Sequence, residues 1–276
     1  MWKNERLWPS QPYFVMNTEN FCQEIYLDQG ISHFYTFKPI KGKKLYAVPD
    51  GCIDLIFQYH NDDRVEGYAF GTVLGYQKSS FSDEGEIFGV RFMPGYFPAG
   101  LSATQKQLVG KGYLLSECFS KDFSMKQMMR EKDFHKRIRT FMSEYTRLEQ
   151  KKEKPYGKKA LVYSINDMVY KADGVIKVSE ISDRTGYSER YISRVFSEEM
   201  GFPPKTFCKI IQFQRALEFM NYGAPEKTTD AVMQLGYYDQ AQFIKDFKKY
   251  AGITPYKYHK LIEAGKYREK ITSVHE

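Results

Sequence analysis

The sequence predicts an α+β chain. An N-terminal antiparallel β-barrel with accessory helices is expected over residues 1–150, a linker over 151–159, and an all-α domain with two helix-turn-helix motifs over 160–276. Three observations lead there. Turn signals are closely spaced as far as Gly100; glycine then thins out and helical periodicity takes over; and one glycine-hinged pattern occurs twice near the end. A length of 276 residues suits two domains at ~100–200 residues each. With 42% hydrophobic and 16% aromatic residues, the chain has enough apolar side chain to bury a core, which excludes wholesale disorder.

The first nine residues, Met1-Trp2-Lys3-Asn4-Glu5-Arg6-Leu7-Trp8-Pro9, hold no apolar signal core, so export is not expected and a cytoplasmic location is. No run approaches the roughly 20 apolar residues of a membrane-spanning helix.

Next comes the β-rich part. Turns are expected at Asp28-Gln29-Gly30, Lys41-Gly42-Lys43, Pro49-Asp50-Gly51, Asn61-Asp62-Asp63 and Asp83-Glu84-Gly85. Between them lie aromatic and β-branched runs: His33–Phe37, Ile53–Phe57 and Ile87–Phe92. Turns this close leave no room for crossover helices, which favours an antiparallel barrel or sandwich. Arg91 lies between Val90 and Phe92 and so points opposite to both. There it is expected either to project into the barrel as a contact for an anionic effector or to form a structural ion pair. Asp50 and Asp54 are four apart, but the Pro-Asp-Gly context makes Asp50 a turn residue rather than half of a carboxylate pair.

In residues 131–150, Phe134, Ile138, Phe141, Tyr145 and Leu148 recur at helical spacing. This stripe either packs on its own barrel or pairs with its twin in a homodimer. The charged segment Lys151-Lys152-Glu153-Lys154-Pro155-Tyr156-Gly157-Lys158-Lys159 reads as a linker.

The repeat follows. Gly186-Tyr187-Ser188-Glu189-Arg190-Tyr191-Ile192-Ser193-Arg194-Val195-Phe196 corresponds to Gly236-Tyr237-Tyr238-Asp239-Gln240-Ala241-Gln242-Phe243-Ile244-Lys245-Asp246-Phe247, with one extra residue in the second turn. Past that insertion Ile192 matches Phe243, Phe196 matches Phe247, Gly201 matches Gly252, Pro204 matches Pro255 and Phe207 matches Tyr258. A short helix is expected before each glycine, Val178 to Thr185 and Thr229 to Leu235. Glycine suits a left-handed helix end, and Ser188 and Asp239 suit the next N-cap. Helix, glycine turn and capped helix is the helix-turn-helix plan.

The second helix of each unit is two-faced. Ile192, Val195, Phe196 and Met200 are expected inside, as are Phe243, Phe247 and Tyr250. The outer faces carry Arg190, Ser193, Arg194 and Ser197 in the first copy, and Gln240, Ala241, Ile244, Lys245 and Lys248 in the second. Arginine donates bidentately to guanine, glutamine pairs with adenine, and apolar groups meet the thymine methyl. A solvated surface would account for one such face; two copies with matched caps, turns and closing Gly-to-Pro elements point to double-stranded DNA. The amphipathic segment Lys205–Tyr222 ties the units at a fixed separation, and two major grooves on one side of B-DNA are roughly 34 Å apart.

This doubled unit, with Arg215-Ala216-Leu217 between the copies and Gly236 to Pro255 at the end, resembles the AraC/XylS family of bacterial transcription regulators. The resemblance covers residues 160–262. It implies base-edge contacts from Arg190, Ser193 and Arg194 in the first recognition helix, and from Gln240, Ala241, Ile244 and Lys245 in the second. Ala241 and Ile244 stand where members often carry polar groups, which points to methyl and backbone contact there. Residues Val48–Phe57 and Gly89–Gly95 resemble the cupin-like β-domain that precedes this unit in one subgroup, implying effector sensing or dimerisation. RNA polymerase, a small-molecule effector and a second copy of the chain are further candidate partners.

The charge balance, 41 basic against 34 acidic residues, is evenly spread: residues 1–156 carry 22 and 19, and residues 157–276 carry 19 and 15. The excess suits a polyanion without proving one. Cys22, Cys52, Cys118 and Cys208 are too scattered for a metal or redox pair and read as small buried hydrophobes. The expected barrel holds only His33 and His60, with no His-x-His, so neither a metal site nor a cofactor is expected. Phosphate-loop, dinucleotide and Gly-x-Ser-x-Gly motifs are absent. The alternative function is a cupin-type enzyme or small-molecule binding protein with a helical oligomerisation tail. Alkylation repair on the same DNA-binding unit needs clustered cysteines and is set aside.

Overall fold

The chain is described from a computed structural model covering residues 7–62, 64–79, 85–124, 127–128, 131–223 and 232–274. A short helix, α1 (Pro12–Met16), leads into strands β1 (Thr18–Ile25), β2 (Ile31–Pro39), β3 (Tyr46–Ala47), β4 (Ile53–Tyr59), β5 (Val65–Gly71), β6 (Gln77–Lys78) and β7 (Glu86–Phe92). Then come α2 (Gln105–Leu108), β8 (Gly112–Leu114), α3 (Leu115–Cys118) and α4 (Phe134–Gln150). The second half is helical: α5 (Gly157–Lys171), α6 (Val178–Thr185), α7 (Glu189–Met200), α8 (Pro204–Tyr222), α9 (Gln240–Ala251) and α10 (Pro255–Ala264). A last strand, β9 (Ile271–Val274), closes the chain of elements. Of the expected turns, Asp63, Asp83 and Glu84 lie outside the described residues.

Seven strands form one sheet in the order β8-β5-β4-β7-β2-β1-β9; β3 and β6 pair separately. Every pairing in the larger sheet is antiparallel except β1 with β9. The expected barrel is therefore corrected: among the described residues the sheet is open, with β8 and β9 at its two edges. The reason lies in its central strands. β2, β4 and β7 are buried almost throughout, on both faces. Such strands need cover on both sides, and helices supply it without the sheet curling onto itself.

One face packs against α4. Phe34, Phe57, Phe88, Val90 and Phe92 join Ile138, Phe141, Tyr145 and Leu148 in a single core. Phe141 lies 5.9 Å from Phe34 and Tyr145 lies 5.4 Å from Phe92, ring centre to ring centre. The stripe Phe134, Ile138, Phe141, Tyr145, Leu148 thus packs on the chain's own sheet, with Phe134 partly buried at its end. The homodimer expectation at this face is corrected, because Phe141 and Tyr145 have no exposed surface left to give a twin.

The other face is covered by the helical half. Tyr35, Phe37, Ile56 and Ile87 share one apolar cluster with Phe14 of α1, Phe213 and Leu217 of α8, Phe243 and Phe247 of α9, and Tyr258 of α10. Between α4 and α5, Lys152 is partly buried; its ammonium donates to the Phe97 carbonyl at 2.8 Å and sits 4.1 Å from the Tyr96 ring centre. Beyond α10 the chain returns to the sheet. β9 pairs with β1 from Phe21↔Ile271 to Glu24↔Val274, and Lys270 Nζ donates to the carbonyls of Met16 and Thr18.

Candidate nucleic-acid interface

Local chemistry builds the first unit. α6 ends at Gly186, whose φ of 74° is left-handed and free of the Cβ penalty only for glycine. Two residues on, the Ser188 hydroxyl accepts from the Tyr191 amide and caps α7. α7 buries Ile192, Val195, Phe196 and Met200 and stops at Gly201, φ 85°. Arg190 and Arg194 are left exposed and Ser193 half-buried.

The second unit repeats the plan. Gly236 has φ 74°, and a Cβ there would meet Val175 Cγ2 at 2.4 Å, so both conformation and space require glycine. Asp239 accepts from the Gln242 amide at 2.7 Å and caps α9. α9 has the same length as α7, 12 residues, buries Phe243, Phe247, Tyr250 and Ala251, and ends at Gly252 with φ 77°. Gln240, Ala241, Ile244 and Lys245 are all exposed. Before Gly236, residues 232–234 are helical; Thr229 to Ala231 of the expected helix Thr229–Leu235 lie outside the described residues.

α8 joins the units. Its first half packs Phe207, Ile210 and Ile211 with Ile192, Val195 and Phe196. Its second half packs Phe213, Leu217 and Phe219 with Phe243, Phe247 and Tyr250. The register of the repeat places Arg190 opposite Ala241, Ser193 opposite Ile244 and Arg194 opposite Lys245, so one outer face is ionic and the other is mixed.

Arg194 has support that sequence reasoning missed. Its Nη1 donates to Glu198 Oε1 at 2.9 Å, and its guanidinium lies 5.1 Å from the Tyr191 ring centre. Lys158, from α5, donates to the other Glu198 oxygen at 2.8 Å. These hydrogen bonds, Lys158's first and then Arg194's, hold the Glu198 carboxyl below its ordinary pKa. The i,i+4 spacing of Arg194 and Glu198 was the available signal; Lys158, from another helix, had none.

Arg91 is different. It is 2% exposed, its Nε and Nη2 clasp Asp54 at 2.8 and 2.7 Å, and Asp50 lies at 3.7 Å. Burial opposes the charge, but Asp54 and Asp50 together hold the guanidinium well above its ordinary pKa. The adjoining cavity measures only about 40 Å³. The effector contact expected of Arg91 is therefore corrected to a buried ion pair, because its bidentate face is already taken. Asp50 is a turn residue whose carboxylate accepts from the Cys52 amide. Among the described residues no group of three or more His, Cys, Asp or Glu could hold a metal ion, and no helix is long and apolar enough to cross a membrane.

A helix-turn-helix domain family matches residues 181–260, a span that takes in both units. Residues 181–260 therefore carry a helix-turn-helix domain of the AraC type. The chain also matches, over residues 25–112, a domain of unknown function, DUF6597. Uncharacterised helix-turn-helix-type transcriptional regulators of Staphylococcus aureus, from strains MSSA476 and MRSA252, are each 30% identical to it over 83 residues. That alignment covers 30% of this chain, which spans only 11% of those relatives' length. Among solved structures, ToxT from Vibrio cholerae aligns with 88% of the chain and 98% of its own, at 13% identity and TM-score 0.45. The C-terminal domain of AraT, a response regulator from Geobacillus stearothermophilus, aligns with 36% of the chain and 84% of its own, at 20% identity and TM-score 0.34.

Proposed function

We propose that the regulator reads double-stranded DNA with α7 and α9 in successive major grooves. The observation that carries this is the duplicated construction on one shaft: two 12-residue helices, each entered from a left-handed glycine and a capping oxygen, both seated on α8. At 1.5 Å per residue the 19 residues of α8 span about 28 Å, close to the roughly 34 Å groove repeat. Arg190, Ser193 and Arg194 are the proposed base readers of the first groove, and Gln240, Ala241, Ile244 and Lys245 those of the second. Lys248 and Lys249, exposed in the last turn of α9, serve phosphates. Residues 160–276 are the proposed DNA-binding domain, and residues 1–150 the regulatory part that governs it. Transcription as the process places this work in the cytoplasm.

The test is selection of duplexes from a random pool with the full chain, then titration of Arg194→Ala on the selected site. Loss of a bidentate base contact is worth ~1–3 kcal/mol, about 5- to 150-fold in affinity. Relaxed preference at one base pair is expected with it, and wild-type affinity should fall steeply with salt. A wild-type chain that enriches no sequence would sink the proposal.

A further inference from the structure

The midpoint of α8 is unusual for the interior of a helix bundle. Gln212, Gln214 and Arg215 are each buried to within 3% of complete, and each points to a different body. Gln212 donates to the carbonyl of Leu235, just before the second unit's glycine turn. Arg215 pairs with Asp173, in the turn after α5, at 2.6 Å. Gln214 leaves the helical half altogether. Its Nε2 donates to the Pro49 carbonyl at 2.7 Å, and its Oε1 accepts from the Ser10 amide at 2.9 Å.

Those two partners are themselves held. Gln11 donates to Val48 O and to Asp50 Oδ2, both at 2.7 Å, and accepts from the Val48 amide at 2.8 Å. The Thr72 hydroxyl accepts from the amides of Asp50 and Gly51. Asp50 in turn flanks the Arg91–Asp54 pair. The turn over residues 49–51 is thus fixed from the sheet side, and Gln214 clips α8 to it. Both ends of the amide are used, so the clip resists rotation of α8 as well as translation. A buried donor or acceptor left unmade costs its full desolvation, so this geometry holds in one setting.

We propose that Gln214 is the positioning residue through which the sheet half sets the distance and phase between the two reading helices. A leucine would fill the same space beside the apolar cluster that α8 already shares with the sheet. What the amide adds is a fixed register between α8 and the turn at Pro49. This rests on the reading of α7 and α9 as a DNA-reading pair.

The test uses the full chain and the duplex that it selects from a random pool. Base pairs are then inserted or deleted one at a time between the two protected segments. Wild type is expected to lose roughly tenfold or more per misplaced base pair, about one base contact's worth. Gln214→Met keeps the volume and removes every hydrogen bond of the amide, to Pro49 and to Ser10. It is expected to flatten that profile to within a few-fold while keeping the identity of the preferred bases. Gln11→Ala slackens the Pro49 turn without touching α8; it should flatten the profile in the same way, and it decides the matter if Gln214→Met does not fold. A folded variant that keeps the wild-type spacing optimum, or loses affinity equally at every spacing, overturns the proposal. A wild-type chain that selects no duplex instead overturns the DNA-reading assignment, and this inference with it.

Discussion

Phe141→Ala separates a self-packed α4 from a dimerising one. The Phe141 ring is fully buried, and its centre lies 5.9 Å from Phe34, 6.3 Å from Phe57, 5.5 Å from Phe123 and 5.3 Å from Tyr145. Truncation removes the transfer free energy of a large side chain and leaves a cavity that four rings cannot collapse to fill. Such changes cost ~3–5 kcal/mol, and four aromatic partners argue for the upper part of that range. For a chain of this size, at about 2–4 °C per kcal/mol, the midpoint should fall by roughly 6–20 °C. The assay is thermal and urea unfolding at protein concentrations a hundredfold apart, with the urea slope compared between variants. The expected result is a large loss that is the same at both concentrations. If the loss vanished on dilution, or if Phe141→Ala mainly lowered a dimerisation constant, the packing argument would be refuted.

Gly186→Ala and Gly236→Ala should differ although both φ values are 74°. Nothing lies near an added methyl at Gly186, so only the left-handed strain of ~1–2 kcal/mol applies, whereas at Gly236 the clash with Val175 adds an overpacking cost of about 1–3 kcal/mol; equal losses in denaturant unfolding would contradict this. Buried His33 has its pKa driven well below the ordinary 6.5, first by desolvation and then by Arg91. Below pH 6.5 the unfolded chain binds a proton that the folded chain refuses, so stability should fall by up to about 1.4 kcal/mol per pH unit from there downward, and His33→Gln should remove that slope from urea titrations.

Much of the candidate site was legible in the sequence because its signals are local. Gly186 and Gly236 mark helix ends, Ser188 and Asp239 mark helix starts, and apolar spacing tells the inner face of α7 from the outer. Each of these acts within a few residues of its own position, so reading along the chain recovers it. Lys158 and Gln214 were not legible as partners. Their contacts join residues 40 and 165 positions apart, and a lysine or glutamine on a helix looks the same in sequence whether or not something meets it.

The sequence by itself determined the two glycine-hinged units, the helical character of α4 and the strands of the N-terminal half, since backbone conformation answers to neighbouring residues. Only the tertiary structure decided what those elements cover. The apolar stripe of α4 could face a twin or its own sheet. The strands could close or stay open, and Arg91 could await a ligand or be satisfied within. The return of β9 to β1 had no local cue either. In each case the hydrophobic effect and the need to pair buried charge say that a surface must be covered, but not by what, because neither carries an address along the chain.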